Sequence, residues 1–145
     1  MFKHILIPTD GSELSEKAAR GAVQMAKSLS AKVTAVTVSV PFHVITADVA
    51  MATDTAEKYR IDREAEATLT LAAVQALAKR EKLEFNGVHL VHDDPYRAII
   101  DTAGKSGCDL ICMASHGRRG VSALLLGSET VKVLTHSKIP VLVWR

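Results

Sequence analysis

Between Ala114 and Thr130 the chain reads Ala-Ser-His-Gly-Arg-Arg-Gly-Val-Ser-Ala-Leu-Leu-Leu-Gly-Ser-Glu-Thr. An apolar run, Leu110 to Ala114, precedes it with the composition of a buried strand, and a helical pattern opens near Ser128. Gly117, Gly120, Gly127, the pair Arg118 and Arg119, and the Gly127-Ser128 step therefore fall between a strand's carboxyl end and a helix's amino end. Main-chain N–H groups are unpaired at such a place, and the helix dipole favours anions there. Glycine lets a ligand approach the backbone closely, and arginine supplies the forked donors that phosphate oxygens accept. Glycines alone would describe a surface loop with an ordinary serine cap. Joined to the arginines and the helix start, they point to a phosphate cradle. The pattern is not the Walker loop, since no Gly-Lys-Ser/Thr follows, and it lacks the Gly-x-Gly-x-x-Gly of the Rossmann fingerprint.

The elements that must position this loop are legible along the chain. Phe2 to Pro8 reads as a short strand, and Ser12 caps a helix whose apolar positions are Leu14, Ala18, Ala22, Met25, Ala26 and Leu29. Val33 to Val40 is a β-branched second strand ended by Pro41, and residues 42 to about 54 carry so little pattern that they read as a mobile loop. A long helix is expected from roughly Thr55 to Lys82 with Leu69, Ala73, Ala76 and Leu77 on its apolar side, then a short strand from Val88 to Val91. Asp94-Pro95 starts a helix that buries Ile99, Ile100 and Ala103 and closes at Gly104 or Gly107. A last helix, Ser128 to Ser137, is expected to turn Val131 and Leu134 inward, and Ile139 to Trp144 is the fifth strand. Strands alternating with helices imply βαβ units, an α/β fold with a parallel sheet, and helices on both faces. Ligands of such sheets sit beyond the strand carboxyl ends where the strand order reverses. The turn Thr9-Asp10-Gly11-Ser12 and the loop after strand four would share one crevice if strands one and four are neighbours.

Composition narrows the function. The 145 residues suit one domain, 1–145, with no internal repeat or linker. At this size about 68–70% of the unfolded surface is buried, so no disulfide or metal is needed for stability. A net charge of +2 and six aromatic residues (one Trp, two Tyr, three Phe) argue against a nucleic-acid partner. No apolar run approaches the ~20 residues that cross a bilayer, and no signal peptide is evident, so a cytoplasmic location without a membrane partner is expected. Cys108 and Cys112 lie too far apart along a strand for a disulfide and read as small buried hydrophobes. Asp93-Asp94-Pro95 is explained by capping rather than by a catalytic carboxylate pair, and the charged positions of the long helix from Glu57 to Glu66 read as a solvated face.

Four segments together resemble the universal stress protein (UspA) family over essentially the whole chain: Ile5-Leu-Ile-Pro-Thr-Asp-Gly-Ser12, Asp109-Leu-Ile-Cys-Met-Ala-Ser-His-Gly117, Leu124-Leu-Leu-Gly-Ser128 and Pro140-Val-Leu-Val-Trp144. The ATP-binding branch of that family carries Gly-x2-Gly-x9-Gly-Ser/Thr. Here Gly117, the nine residues 118 to 126, and Gly127-Ser128 match its later part, while Ala114 stands at the first glycine. The resemblance implies a five-stranded parallel sheet of order 3-2-1-4-5, Rossmann-like and similar to the adenine nucleotide alpha hydrolases. It implies ATP as the ligand, with Mg²⁺, in a nucleotide-dependent switch of the stress response. Gly117, Arg118, Arg119, Gly127, Ser128, Glu129 and Thr130 would hold phosphates. Pro8, Thr9, Asp10 and Val38 would hold adenosine. Asp10 has a second reading as a turn former, and Val38 as an ordinary strand residue.

Glu129 stands where the family often has an apolar residue; a carboxylate near a triphosphate repels it unless it points to solvent or helps hold a divalent cation, and its place in a helix first turn, favourable for an acid whatever the ligand, explains it better than a metal does. Ala114 adds one methyl and is expected to narrow the pocket without closing it. No residue presents itself as a general base beside a γ-phosphate, so rapid hydrolysis is not expected; slow hydrolysis or autophosphorylation on a loop Ser or Thr stays open. The resemblance also implies a homodimer formed by antiparallel pairing of Ile139–Trp144, which would cover an otherwise exposed apolar edge. The alternative reading is a partner-binding dimer of the same family with a vestigial pocket.

Overall fold

The apolar runs become strands, and each of the first four strands is followed by a helix. The computed structural model describes residues 1–43, 49–118 and 125–145. In chain order the elements are β1 His4–Pro8, α1 Glu13–Leu29, β2 Lys32–Ser39, α2 Val49–Arg80, β3 Phe85–Val91, α3 Pro95–Ser106, β4 Leu110–Ala114, α4 Ser128–His136 and β5 Val141–Trp144. The strands form one parallel sheet in the order β3-β2-β1-β4-β5. Ile5 and Leu6 of β1 pair with Leu110 and Ile111 of β4, so the two polar loops do leave neighbouring strands. The strand order reverses between them.

Alternation along the strands divides the core in two. Ile5, Ile7, Val33, Ala35, Leu110 and Cys112 pack with Ala19, Ala22, Val23 and Ala26 of α1 and Val74 of α2. Leu6, Val36, Ile111 and Met113 pack on the other face with Ile99 and Ala103 of α3 and Val133 of α4. Period-two side-chain direction forces this division once both faces are covered. Cys108 and Cys112 are free and buried, and burial pushes both thiols up to about 11, so neither is a thiolate at neutral pH.

Helix ends follow local chemistry. Ser12 caps α1 by accepting from the Ser15 amide, and the helix closes at Ser30 in the left-handed conformation. Pro95 opens α3, and Gly107, with φ of 69°, closes it. The Asp109 carboxylate accepts from the amides of Lys3 and His4 at 2.8 and 3.0 Å, which fixes the start of β1 against the α3–β4 connection.

Four helix expectations are corrected. The long helix begins at Val49 rather than near Thr55, because Ala50, Met51 and Ala52 are good helix formers and no Gly or Pro lies between 49 and 80. Its buried line is Ala67, Thr70, Val74 and Ala78, with Leu71 and Leu77 packed alongside, whereas Leu69 is 74% exposed. Apolar residues lie all around this helix, so pattern alone misplaces the inner face by one residue, about 100°. In α4 the inward residues are Thr130 and Val133, not Val131 and Leu134, which are 44% and 41% exposed. The Thr130 hydroxyl donates to the Ala114 carbonyl at 3.1 Å, which makes a polar residue acceptable inside. Ile100 is likewise only partly buried. Strand bounds differ by a few residues, most at β3, which starts at Phe85 instead of Val88.

The edge strand β5 is held by an aromatic contact. The outer edge of the Trp144 six-membered ring lies against Gly21 of α1, so close that a Cβ there would fall 2.3 Å from the nearest ring carbon. Gly21→Ala is expected to drive the indole outward and lower stability by about 1–3 kcal/mol despite the better helix propensity of alanine. Urea denaturation followed by the emission of Trp144, the one tryptophan of the chain, checks this; an unchanged midpoint and emission maximum would contradict it.

Candidate functional site

The β1–α1 turn is built by its own side chains. The Thr9 amide continues the β1–β2 ladder by donating to Val36 O at 2.9 Å, and the Thr37 hydroxyl donates to the Thr9 carbonyl at 2.9 Å. The Thr9 hydroxyl lies 3.1 Å from that of Ser15 and accepts from the Gly11 amide at 3.3 Å. Gly11 takes φ of +76°, the left-handed region, and a Cβ on it would stand 2.8 Å from the Thr70 hydroxyl and 3.1 Å from an Arg118 guanidinium nitrogen. Only glycine satisfies both the turn and this close approach.

Asp10 joins this turn to the loop after β4. Its Oδ1 accepts from the Ser12 amide at 3.0 Å, and its Oδ2 accepts from the Arg118 amide at 2.8 Å, across the crevice. Gly117 lies directly beneath: a Cβ at that position would be 2.3 Å from Asp10 Oδ2. Burial alone would raise the Asp10 pKa, but donors from Ser12, the Arg118 amide and the Ser15 hydroxyl outweigh it and hold the carboxyl below its ordinary value. The group is therefore an anion at neutral pH that has already collected two main-chain donors.

The far side of the crevice is the start of α4. Gly127 is the N-cap residue, in extended conformation, and its amide donates to Ser115 O at 2.7 Å. The Val131 amide donates to the Gly127 carbonyl at 3.0 Å and so begins the intrahelical ladder. The amides of Ser128, Glu129 and Thr130 belong to the first turn, where a helix has no carbonyl of its own to offer. A Cβ on Gly127 would sit 3.2 Å from the His116 backbone, so this position fixes how closely the loop folds on itself. Ser12, Glu13, Leu14, Lys17, His116 and Gly117 line a polar crevice alongside.

The expected residues divide by what the structure does with them. Thr9, Asp10, Gly117 and Arg118 converge. Gly127, Ser128 and Thr130 stand at the α4 start, although the Thr130 hydroxyl is spent on Ala114. Pro8 is buried at the end of β1 opposite Val36. Val38 is two residues further along β2, pairs with Leu90, and turns its side chain into the core under α3, so only its backbone faces the carboxyl edge. Glu129 points its carboxylate away from the α4 amino end. It accepts from the Tyr96 amide at 2.8 Å, in the first turn of α3, and meets Lys132 Nζ at 3.0 Å. That supplies the acceptor which Asp94, the N-cap of α3, does not. Ala114 is buried, and by strand alternation its methyl shares the α1 side with Leu110 and Cys112. Arg119, like Gly120, lies outside the described residues.

Two contributors escaped the sequence reading. Glu66 and Thr70, one turn apart on α2, reach the crevice beside Gly11 and Arg118. Both were hidden in a helix whose amphipathic register is ambiguous; only the i, i+4 relation to each other was visible beforehand.

Comparison with known proteins bears on this geometry. The universal stress protein family model matches residues 1–145. Universal stress protein MJ0531 of Methanocaldococcus jannaschii is 31% identical over 148 aligned positions, covering 99% of this chain and 82% of that protein. Among solved structures, protein MJ0577, also from M. jannaschii, superposes with a TM-score of 0.79 at 26% identity, covering 99% of this chain and 96% of the other. A universal stress protein solved in complex with cAMP superposes with a TM-score of 0.73 at 24% identity, over 99% and 97% of the two chains.

Two outcomes follow from the site geometry. The folded pKa of Asp10 lies below the unfolded value of about 3.9, so its stabilisation is present above that value and lost as pH falls through the folded pKa. Asp10→Asn is therefore expected to be less stable than wild type at neutral pH, with the gap narrowing as pH falls below the ordinary carboxylate range; urea midpoints measured from neutral into acid pH would show it, and a constant gap would refute it. Glu129→Ala removes the acceptor at the α3 start and is expected to lose about 0.5–2 kcal/mol, whereas Lys132→Ala, which leaves that acceptor in place, is expected to change stability little. Equal effects would mean that the Tyr96 amide is satisfied another way.

Proposed function

The chain belongs to the universal stress protein family, and from that premise we propose that it binds an adenine nucleotide at the β1–β4 crevice and acts as a nucleotide-dependent switch in the stress response. The observation that carries this reading is the Asp10 carboxylate set over Gly117 and bonded to the Arg118 amide. It brings a nucleoside-accepting turn and a phosphate-accepting loop to the one place where a doubly wound sheet receives its ligands. The relative solved with cAMP supports the adenine assignment.

Charge orients the ligand. Asp10 is an anion, so it faces hydroxyl or amino donors of the nucleoside and not phosphate oxygens. A carboxylate offers about four lone-pair sites; main-chain donors take two, and a ribose or adenine donor would take a place now shared with the Ser12 and Ser15 hydroxyls. Pro8, Thr9 and the Val38 backbone line that end. The phosphates take the opposite end: Gly117, Arg118 and Arg119 on the loop, and the amides of Ser128, Glu129 and Thr130 with the Ser128 hydroxyl, where Gly127 leaves room for close approach. The Glu129 side chain plays no part in it, being committed to α3. Mg²⁺ would be held by the phosphates themselves, because the carboxylates of Asp10, Glu66 and Glu129 each already hold N–H or cationic donors. The same commitments leave these three carboxylates unsuited to act as a general base, which favours retention of the nucleotide over rapid turnover.

The edge strand β5 and the exposed Val131 and Leu134 of neighbouring α4 give the self-association side of the reading: antiparallel pairing of two copies along Ile139–Trp144, in the cytoplasm. Among the described residues no helix is long and apolar enough to cross a membrane.

Thermal-shift and calorimetric titrations with ATP, ADP, AMP and cAMP, with and without Mg²⁺, test the assignment. A ligand at 100 times its dissociation constant stabilises the fold by about 2.7 kcal/mol. Gly127→Val, which presses on the His116 backbone, is expected to abolish that shift with the fold retained. No response to any nucleotide would instead support a family member that binds partners and not nucleotides.

A further inference from the structure

The Arg118 side chain reaches across to α2. Its guanidinium crosses Gly11 and pairs with Glu66 of α2. Glu66 also holds Arg63 at 3.0 Å. Thr70, the next turn of α2, stands against the same glycine, so Glu66 and Thr70 form a wall over the β1–α1 turn. The Arg118 amide is meanwhile taken by Asp10. The main-chain N–H and one guanidinium nitrogen of the residue best suited to grip a phosphate are thus bonded to carboxylates of this chain.

We propose that Glu66 is a specificity-determining latch: it holds the Arg118 guanidinium away from the phosphate cradle, and only a ligand with a sufficiently anionic tail displaces it. This inference rests on the nucleotide reading above. Three features favour exchange over a fixed structural pair. The pair is half exposed, with side chains 50% and 30% accessible, so it is weak and readily broken. A terminal phosphate carries about −1.5 to −2 charge near neutral pH and outcompetes a single carboxylate for a guanidinium. When Arg118 departs, Glu66 keeps Arg63 and is not left as an unpaired anion. A ligand that needs Arg118 therefore binds with its affinity reduced by the fraction of time the latch is closed. A nucleoside without phosphate escapes that reduction.

The test compares adenosine, AMP and ADP by calorimetry against wild type, Glu66→Gln, Glu66→Asp, Arg118→Ala and the Glu66→Gln/Arg118→Ala double variant. Loss of an exposed ion pair is expected to raise ADP affinity about two- to fivefold in both Glu66 variants. Adenosine affinity is expected to stay unchanged, and the effect to vanish in the Arg118→Ala background. A general loosening of α2 would instead alter adenosine and ADP alike, and would survive removal of Arg118; either result overturns the latch. Nucleotide binding by wild type with no gain in the Glu66 variants overturns the latch alone. Absence of binding in every variant removes the nucleotide reading together with it.

Discussion

Asp10 accepts one main-chain N–H from its own turn and one from the loop across the crevice, and the arrangement of the site depends on that pair of bonds. β1 and β4 are neighbours by hydrogen bonding, yet adjacency of strands does not fix where their loops lie. The carboxylate does, by spanning from Ser12 to Arg118 with Gly117 beneath it. No other residue type serves as well. Asparagine would offer one acceptor oxygen and an unwanted donor, and a longer glutamate would not fit the space left by the missing side chain of Gly117. The two glycines, Gly11 and Gly117, are required by what lies over them, which is a stronger reason than flexibility.

Anions and their donors are sorted around this crevice with little left over. Glu129 could have opposed a phosphate, but its carboxylate completes the first turn of α3, and the same residue still contributes its amide to the first turn of α4. One residue thus serves two helix amino ends, with opposite polarity at each. The Thr130 hydroxyl is absorbed in the same way by the Ala114 carbonyl, which leaves the α4 start with main-chain donors as its principal asset. Sites of this kind bind through backbone geometry, and they tolerate changes of side chain better than changes of φ or of volume at glycine.

How much of this was legible in the sequence depended on what kind of signal each part left. The fold class and the strand order implied by the family resemblance came through, because β-branched runs are local signals and the resemblance spanned the whole chain. Ser12, Pro95 and Gly107 marked helix ends for the same reason. Helix faces were less legible. In α2, alanines and leucines lie on every side, so burial was decided by which side met β2 and β3, a long-range fact. In α4, Thr130 rather than Val131 went inward because a carbonyl at the end of β4 awaited its hydroxyl. Glu66 was read as part of a solvated face, and only the packing of α2 beside the β1–α1 turn brought it to Arg118.

The last residue of the edge strand is not remote from the crevice. The Trp144 carbonyl accepts the Ser115 amide at 2.8 Å, and the Ser115 carbonyl accepts the Gly127 amide at 2.7 Å. The rim of the sheet and the threshold of α4 are therefore two steps apart along a single chain of peptide dipoles. One residue, Ser115, through its own N–H and C=O, ties the rim of the sheet to the threshold of α4.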